Sequence, residues 1–463
     1  MNDFTYELKL RSIKLLNLLL ITVPFIISWK FYYSERLYAN SFFDLGNYVI
    51  IAVFMVMYYM FGRLYEAFLV SMNRISEMVY CQGLAAFLSD GVMYMIIILL
   101  ARDVPNVLPL IAVFIGQICV SVTWSYLAHN WYFDTFPAKK TIIIYDMREG
   151  MEELIKDYGM NLKFRVVNKY TAKEAIDSKL SMLSGGDISA VFLCGVHSHD
   201  RNIIIKYCVF NGISAYVIPR IGDVIMSGAK RMHMFHLPIM RIDRYNPPPE
   251  YVFIKRAFDI IFSLVVIIIT MPIMIVTAIM IKRDGGPVLY KQTRLTKNGK
   301  KFKVLKFRSM RVDAEKDGIA RLSTKNHDKR VTPVGRVIRK YRIDELPQLF
   351  NVLSGSMSIV GPRPERPEIA RIYEKELPEF ALRLQAKAGL TGLAQVYGQY
   401  NSTPYDKLQM DLMYISNPSL IEDLRIIFAT AKIFFMPESA EGVEEGQTTA
   451  MRRKTDRIKD AES

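Results

Sequence analysis

Residues 255–283 read KRAFDIIFSLVVIIITMPIMIVTAIMIKR, an apolar run with Lys255-Arg256 at one end and Lys282-Arg283 at the other. How this run is read decides the placement of everything that follows it. It is long enough to cross a bilayer, which takes about 20 apolar helical residues. Pro272 sits near its middle, where it removes a backbone donor and kinks or breaks a helix. Basic residues at both ends favour both ends lying on the cytoplasmic face. A re-entrant helix over 257–281, which enters one leaflet, breaks and returns, satisfies both features; Lys255, Arg256, Asp259 and Pro272 define it. A plain crossing would put the rest of the chain outside the cell. Asp259 has apolar neighbours but follows Lys255 by four residues, the spacing of a local ion pair that offsets burial.

Working toward the N-terminus, four further apolar runs occupy the first quarter: Leu15 to Tyr33, Leu45 to Phe61, Leu84 to Ala101 and Val107 to Leu127. Each is near spanning length. Lys9, Arg11 and Lys14 precede the first, Arg63 and Arg74 lie between the second and third, and Lys139 and Lys140 follow the fourth. This pattern puts both ends of a four-helix transmembrane bundle, residues 1–135, in the cytoplasm, although Lys30 and Arg36 dilute the signal. The first run lacks a small-residue cleavage site and reads as a membrane helix. Asp90 in the third run is either a polar intramembrane site or, on the plainer reading preferred here, the start of a helix at Asp90-Gly91.

Composition agrees with a membrane protein that also carries charged domains. Of 463 residues 51% are hydrophobic and 23% charged, and the mean hydropathy is +0.15. That is too apolar for an ordinary soluble enzyme and too charged for a pure transporter. Length suggests about three domains. A net charge of +15 suits anionic partners such as lipid head groups and nucleotides. Cys81, Cys119, Cys194 and Cys208 have no metal-site spacing and read as reduced thiols.

From Thr141 the pattern changes. Thr141 to Tyr145, Phe164 to Val167, Ala190 to Leu193 and Ala215 to Ile218 read as buried parallel strands alternating with helices. Residues 136–245 are thus expected to form a degenerate Rossmann-like α/β domain. The first strand leads into Asp146-Met147-Arg148-Glu149-Gly150, with no glycine fingerprint and with acids where a pyrophosphate would dock. A structural or regulatory role is the preferred reading. In His197-Ser198-His199-Asp200, Ser198 or Asp200 is expected to cap a helix rather than the histidines to bind metal. His233 and His236 carry no assignment.

Asn246-Pro247-Pro248-Pro249 marks a linker before a second α/β region, residues 250–436. Eleven Lys or Arg and one acid, Asp284, fall between Lys282 and Arg311. A nucleic-acid surface has similar charge, but this run directly follows a membrane segment, so lipid phosphates and a nucleotide diphosphate are the nearer partners. Ser419 to Phe435 is amphipathic through Ile421, Leu424, Phe428, Ala431 and Phe435; it either lies in the membrane interface or closes the domain core. Residues 437–463 are polar, mixed in charge and expected to be disordered.

Within 250–436 lies Arg342-Ile343-Asp344-Glu345-Leu346-Pro347-Gln348-Leu349, followed by Gly361-Pro362-Arg363-Pro364. A carboxylate can attack phosphorus and form an acyl phosphate. An anion attacking an anion needs cations nearby, and Arg342, Arg363, Lys306 and Arg308 are candidates. Arg308 and Arg363 can grip phosphate oxygens bidentately, and the prolines fix the backbone around Arg363. A divalent metal is the usual partner of a diphosphate.

Residues 255 to about 435 resemble the bacterial sugar transferases, the polyprenyl-phosphate hexose-1-phosphate or monotopic phosphoglycosyl transferases. The resemblance is carried by Lys255-Arg256-x-x-Asp259, the proline-broken helix, Lys306-Phe307-Arg308-Ser309-Met310, the Asp344-Glu345 block, Gly361-Pro362-Arg363-Pro364, Gly389-Leu390-Thr391-Gly392 and Ala394-Gln395-Val396. It implies an α/β monotopic catalytic domain at the inner (cytoplasmic) membrane of a bacterium. It further implies that Asp344 attacks the β-phosphate of a UDP-sugar, releases UMP and passes the phosphosugar to undecaprenyl phosphate, with glucose or galactose as the commonest sugars. Glu345 would act as metal ligand or base, and Mg²⁺ would be held by Asp344 and Glu345. Arg294, Lys306, Arg308, Arg342, Arg363, Lys387 and Gln395 would bind substrate or phosphate. Membrane lipid is an implied partner, nucleic acid is not, and a homodimer through the bundle stays open. The chain departs from the family pattern at Lys387, Ala388 and Leu393, where arginine, proline and an aromatic are usual, and at Thr296, where glycine is common. These departures leave the sugar and base preference open. Two competing readings are a catalytically silent membrane scaffold and a nucleotide-sugar oxidoreductase; the missing glycine fingerprint weighs against the latter.

Overall fold

A computed structural model describes residues 3–38, 44–146, 148–184, 187–283, 285–311, 330–398 and 403–434. The tail 437–463, Phe435, Asp284 and Met147 lie outside the described residues. The chain divides into two compact units, Met1–Ile218 and Pro219–Ser463.

In the first unit, helices α1 (Asp3–Ser28), α2 (Asp44–Leu64), α3 (Ile75–Ala101) and α4 (Leu108–Thr135) pack around one another, with α1 and α3 each against α2 and α4. All four helical segments are long and apolar enough to cross a membrane. Their contacts hide a polar seam, because polar groups in an apolar bundle must find partners inside it. Asn17 donates to Gln82 Oε1 at 3.1 Å and accepts from the Tyr58 hydroxyl at 2.9 Å. Gln117 donates to Asp90 Oδ1 at 3.3 Å. The expected helix start at Asp90-Gly91 is corrected here. The helix begins at Ile75 and Asp90 is buried mid-helix against α4. Packing along both neighbours outweighs the cost of an interior glycine, about 1 kcal/mol.

The same unit carries a parallel sheet of β1 (Lys139–Tyr145), β2 (Phe164–Thr171), β3 (Ala190–Cys194) and β4 (Ser214–Val217), in the order β2-β1-β3-β4. All four expected strands are present. Ile142, Ile143 and Ile144 are successive and all buried, as befits a strand covered on both faces. Helices α5 (Met151–Asp157), α6 (Ala172–Asp177) and α7 (Ser198–Phe210) connect the strands. The capping expectation shifts by one position. His197, not Ser198 or Asp200, is the cap residue of α7, and its ring lies 3.5 Å from the Asp146 carboxylate.

The second unit opens with α8 (Ile221–Ser227), whose Val224 is buried in that unit's core, and an antiparallel hairpin of β5 (Lys230–Met234) and β6 (Leu237–Arg241). Next comes α9 (Pro249–Lys282), a fifth segment of spanning length. It is one continuous helix containing Pro272, not two helices separated by a break. Both of its ends dock on the second unit. At the start, Arg256 donates to the carbonyls of Val352 and Leu353 at 2.7 Å each, and Asp259 accepts from the Ile359 amide at 3.0 Å. At the end, Ile281 is buried against Phe307 and Ile338. The local ion pair expected between Lys255 and Asp259 does not form. Lys255 pairs with Asp423 at 2.9 Å, while Asp259 serves an amide that the neighbouring strand leaves unbonded.

The remaining elements are the hairpin β7 (Leu289–Leu295) and β8 (Lys301–Phe307), α10 (Pro333–Lys340), α11 (Gln348–Leu353), β9 (Ser358–Val360), α12 (Pro367–Glu376), β10 (Gly389–Thr391), α13 (Leu393–Val396), α14 (Pro404–Ser416) and α15 (Leu420–Phe434). Helix α15 closes the core, but through Asp423 and Ile426. Ile421 and Leu424, expected on the apolar stripe, are exposed. Burying Asp423 turns the helix so that its carboxylate reaches Lys255, Tyr251 and Tyr414.

Strands β9 and β10 pair in parallel, and three glycines let the surrounding backbones touch. A Cβ on Gly361 would overlap the Lys387 carbonyl, one on Gly389 the Gly361 amide, and one on Gly392 the Gly361 carbonyl. Backbone cannot yield as a flexible side chain can. Gly389→Ala should therefore destabilise the protein by about 1–3 kcal/mol. Gly222→Ala, where the added carbon meets nothing within 4 Å, should stay within about 0.5 kcal/mol of the parent. Thermal unfolding of both variants in lipid nanodiscs checks the contrast.

Candidate active site

The acidic pair sits on a single 3-10 turn, Ile343–Glu345, between α10 and α11. Upstream, Thr332 caps α10 by accepting the Gly335 amide at 2.9 Å. A side chain on Gly335 would overlap the Ser309 carbonyl, so the backbone two residues past β8 lies directly on α10. Arg342 takes a left-handed backbone, φ 52°, to start the turn. Downstream, Gln348 and Leu349 are buried and anchor it. Three residues per turn send adjacent side chains in different directions. Asp344 and Glu345 accordingly have different surroundings.

Glu345 accepts from Lys306 Nζ at 2.8 Å and lies 3.6 Å from Arg363 Nη2. Asp344 is 9% exposed and forms no ion pair among the described residues. Burial raises the carboxyl of Asp344 above its ordinary value; Lys306 opposes that and the charge of Glu345 adds to it. Burial also pushes Glu345 upward, but Lys306 and Arg363 outweigh it and hold this carboxyl well below the carboxylate range. Glu345 is thus a fixed counterion of two cations, and Asp344 is the carboxylate left available.

Arg363 presents its head from the loop that follows β9, with 47% of its side chain exposed. The loop is braced by its carbonyls. Arg383 donates to Arg363 O at 2.9 Å, Arg294 to Pro364 O at 3.0 Å, and the Leu295 amide to Glu365 O at 3.0 Å. Sequence reading singled out Arg294 but passed over Arg383, Glu365 and Asp411. An isolated arginine and two scattered acids give no local signal.

Of the residues expected to bind substrate, the structure brings Lys306, Arg342 and Arg363 to the dyad; the charge of Arg342 helps to keep Glu345 low. The others take different places. Arg294 braces the loop, and burial lowers its guanidinium to about 10. Arg308 donates to the Ile281 carbonyl at 3.1 Å and so holds the end of α9. Lys387 is half-buried; burial lowers its ammonium, and the charge of Arg256 adds to the effect. Gln395 lies on α13, its Nε2 buried with no hydrogen-bond partner among the described residues. Lys255, Arg256 and Asp259 fix the start of α9 rather than line the dyad. Two departures from the family pattern touch each other. The Thr296 hydroxyl accepts from the Ala388 amide and donates to the Ser356 carbonyl, both at 3.1 Å.

Mg²⁺ prefers oxygen ligands and is commonly held by one or two carboxylates together with substrate phosphates. Asp344 and Glu345 offer two carboxylates, and no group of three or more His, Cys, Asp or Glu suited to a metal occurs among the described residues. The donor set fits a Mg²⁺ shared with a bound phosphate, with Asp344 the less encumbered ligand.

Residues 250–437 match the family model described as bacterial sugar transferase. The exopolysaccharide production protein PSS of Rhizobium leguminosarum bv. phaseoli is 43% identical over 187 residues, 38% of this chain and 92% of that protein. The chain belongs to the bacterial sugar transferase family. Among other sugar transferases, the UDP-N-acetylgalactosamine-undecaprenyl-phosphate N-acetylgalactosaminephosphotransferase of Aeromonas hydrophila is 38% identical over 229 residues, 49% of this chain and 53% of that protein. The undecaprenyl-phosphate galactose phosphotransferase of Salmonella typhimurium is 41% identical over 202 residues, 41% of this chain and 42% of that protein. The match to these two longer sugar transferases thus spans about half of each.

The Lys306–Glu345 pair has a pH signature. Because the folded carboxyl of Glu345 is depressed, the pair stabilises above the ordinary glutamate range, and that contribution is lost as pH falls through the folded value. Lys306→Met leaves a largely buried carboxylate poorly compensated. It should cost about 1–3 kcal/mol near pH 7, and the cost should shrink in acid. Unfolding curves of the variant and the parent at pH 7 and pH 4 test this.

Proposed function

We propose that this chain transfers a hexose-1-phosphate from a UDP-sugar to undecaprenyl phosphate and releases UMP. The observation that carries the reading is a buried Asp344 with no ion-pair partner among the described residues, set beside a Glu345 already neutralised by Lys306 and Arg363. Asp344 has the position and freedom of a nucleophile, and the cations beside it offset the repulsion between two anions.

In the first step, an Asp344 oxygen attacks the β-phosphorus. The bond from that phosphorus to the bridging oxygen breaks, and the oxygen leaves with UMP. The sugar phosphate stays on Asp344 as an acyl phosphate. In the second step, a phosphate oxygen of undecaprenyl phosphate attacks the same phosphorus. The bond from that phosphorus to the Asp344 oxygen breaks, Asp344 regains its carboxylate, and the product is a lipid-linked diphosphosugar. Mg²⁺, held by Asp344 and Glu345 with the diphosphate, would neutralise charge on the leaving group. Arg363 grips phosphate oxygens, and Lys306 keeps Glu345 charged and in place.

The product would prime a capsule, exopolysaccharide or O-antigen. The docking of both ends of α9 on one unit supports a re-entrant course, with the dyad at the cytoplasmic face of the inner membrane. The names of the relatives differ in sugar: N-acetylgalactosamine for the Aeromonas protein and galactose for the Salmonella one. The donor panel therefore spans UDP-glucose, UDP-galactose and UDP-N-acetylgalactosamine.

With nanodisc-embedded protein, undecaprenyl phosphate and Mg²⁺, UMP should appear with one donor of this panel. Asp344→Asn should lower the rate by about 10³-fold or more. Unchanged release in Asp344→Asn would sink the covalent route. EDTA should stop the reaction and added Mg²⁺ restore it; full activity in EDTA would remove the metal from the scheme.

A further inference from the structure

We propose that Arg383 is a positioning residue for Arg363, locked in that role by Asp411 and Glu365. The proposal rests on the reading above, in which Arg363 meets the donor's phosphates. It names the device that makes that arginine rigid.

Arg363 and Arg383 divide two tasks. The Arg363 side chain is 47% exposed and points at Glu345. The Arg383 side chain is 4% exposed and makes no contact with the dyad among the described residues. Its guanidinium packs over the Phe380 ring at 4.8 Å, and its Nη2 donates to the Arg363 main-chain carbonyl at 2.9 Å. The same group pairs with Asp411 at 2.7 Å and lies 3.7 Å from Glu365. Asp411 is 1% exposed. Arg294 reaches Glu365 from the other side at 3.8 Å.

A buried ion cluster is a poor way to add stability, since a well-packed apolar group does as well or better. What an apolar group cannot do is hold a backbone carbonyl at a fixed place. Three successive carbonyls, those of Arg363, Pro364 and Glu365, are each held by a donor. Pro362 and Pro364 restrict the backbone on either side. The planar fork of an arginine reaches a carbonyl and two carboxylates at once. A lysine offers one ammonium and cannot match all three directions.

The test is a double-mutant cycle on UMP release, with unfolding temperatures measured alongside. Arg383→Lys should lower kcat/KM by about 10²-fold, the scale of an ångström-level misplacement. In an Arg363→Ala background the same change should cost less than about 2-fold, because the residue it positions is gone. An equal loss in both backgrounds would overturn the proposal and leave Arg383 a general structural residue. Glu365→Gln is a milder second variant if Arg383→Lys does not fold; its loss should likewise vanish in the Arg363→Ala background, and an undiminished loss would count against the proposal. A readout independent of catalysis covers failure of the functional reading itself. A nitroxide on Arg363→Cys, with Cys119 replaced by serine, should show faster motion when Arg383→Lys is added. An unchanged spectrum would sink the positioning role, whether or not the wild type releases UMP.

Discussion

Two stretches of backbone meet at Gly361, Gly389 and Gly392 with no side chain between them, and the second unit is arranged around that contact. It lets β10 pair with β9, and Lys387 O and Ala388 O then lie against the same short strand. The strand ends in the proline-flanked loop whose arginine meets Glu345. Its middle residue, Ile359, donates its amide to Asp259 of α9. A single close approach therefore links this long apolar helix to the acidic pair through a few hydrogen bonds.

Charge is handled by the same economy of partners. Lys255 enters an apolar region with Asp423, and two tyrosine hydroxyls share that carboxylate. Glu345 takes Lys306 and Arg363. Asp411 and Glu365 take Arg383. Among the described residues, Asp344 is the acid of the dyad with no such ion-pair partner, and a buried carboxylate without one is poised to react or bind. The difference between the two neighbours in sequence comes from a single turn of helix, which aims them at different surroundings.

Much of this was legible in the sequence, where the signal is local. The four parallel strands announced themselves through runs such as Ile142-Ile143-Ile144, since a strand buried on both faces has no polar alternation. The dyad and the Gly361-Pro362-Arg363-Pro364 loop were visible as compact motifs. What escaped was long-range. The partner of Lys255 is 168 residues away, so the plausible neighbour four residues on was chosen instead. On α15 the buried Asp423 and Ile426 face the core while Ile421 and Leu424 are exposed, a division that apolar spacing alone does not reveal. Asp90 looked like a helix start because Asp-Gly usually punctuates, whereas Gln117 from another helix supplies its partner. Arg308 and Arg294 carry the right chemistry for phosphate, and their contacts with the carbonyls of Ile281 and Pro364 have no local signal.

The hydrogen bonds of Thr296 bear on how such a sequence could change. A proline at position 388 has no amide hydrogen, and a glycine at 296 has no hydroxyl, so that pair asks nothing of its surroundings. Alanine at 388 adds a donor, and threonine at 296 adds the oxygen that receives it. The two substitutions balance only together. Threonine arriving first still bonds to the Ser356 carbonyl, whereas alanine arriving first leaves an amide stranded beside the glycine contact. Replacing Thr296 by glycine while alanine stays at 388 therefore strands that amide, whereas the two positions changed together leave nothing unpaired.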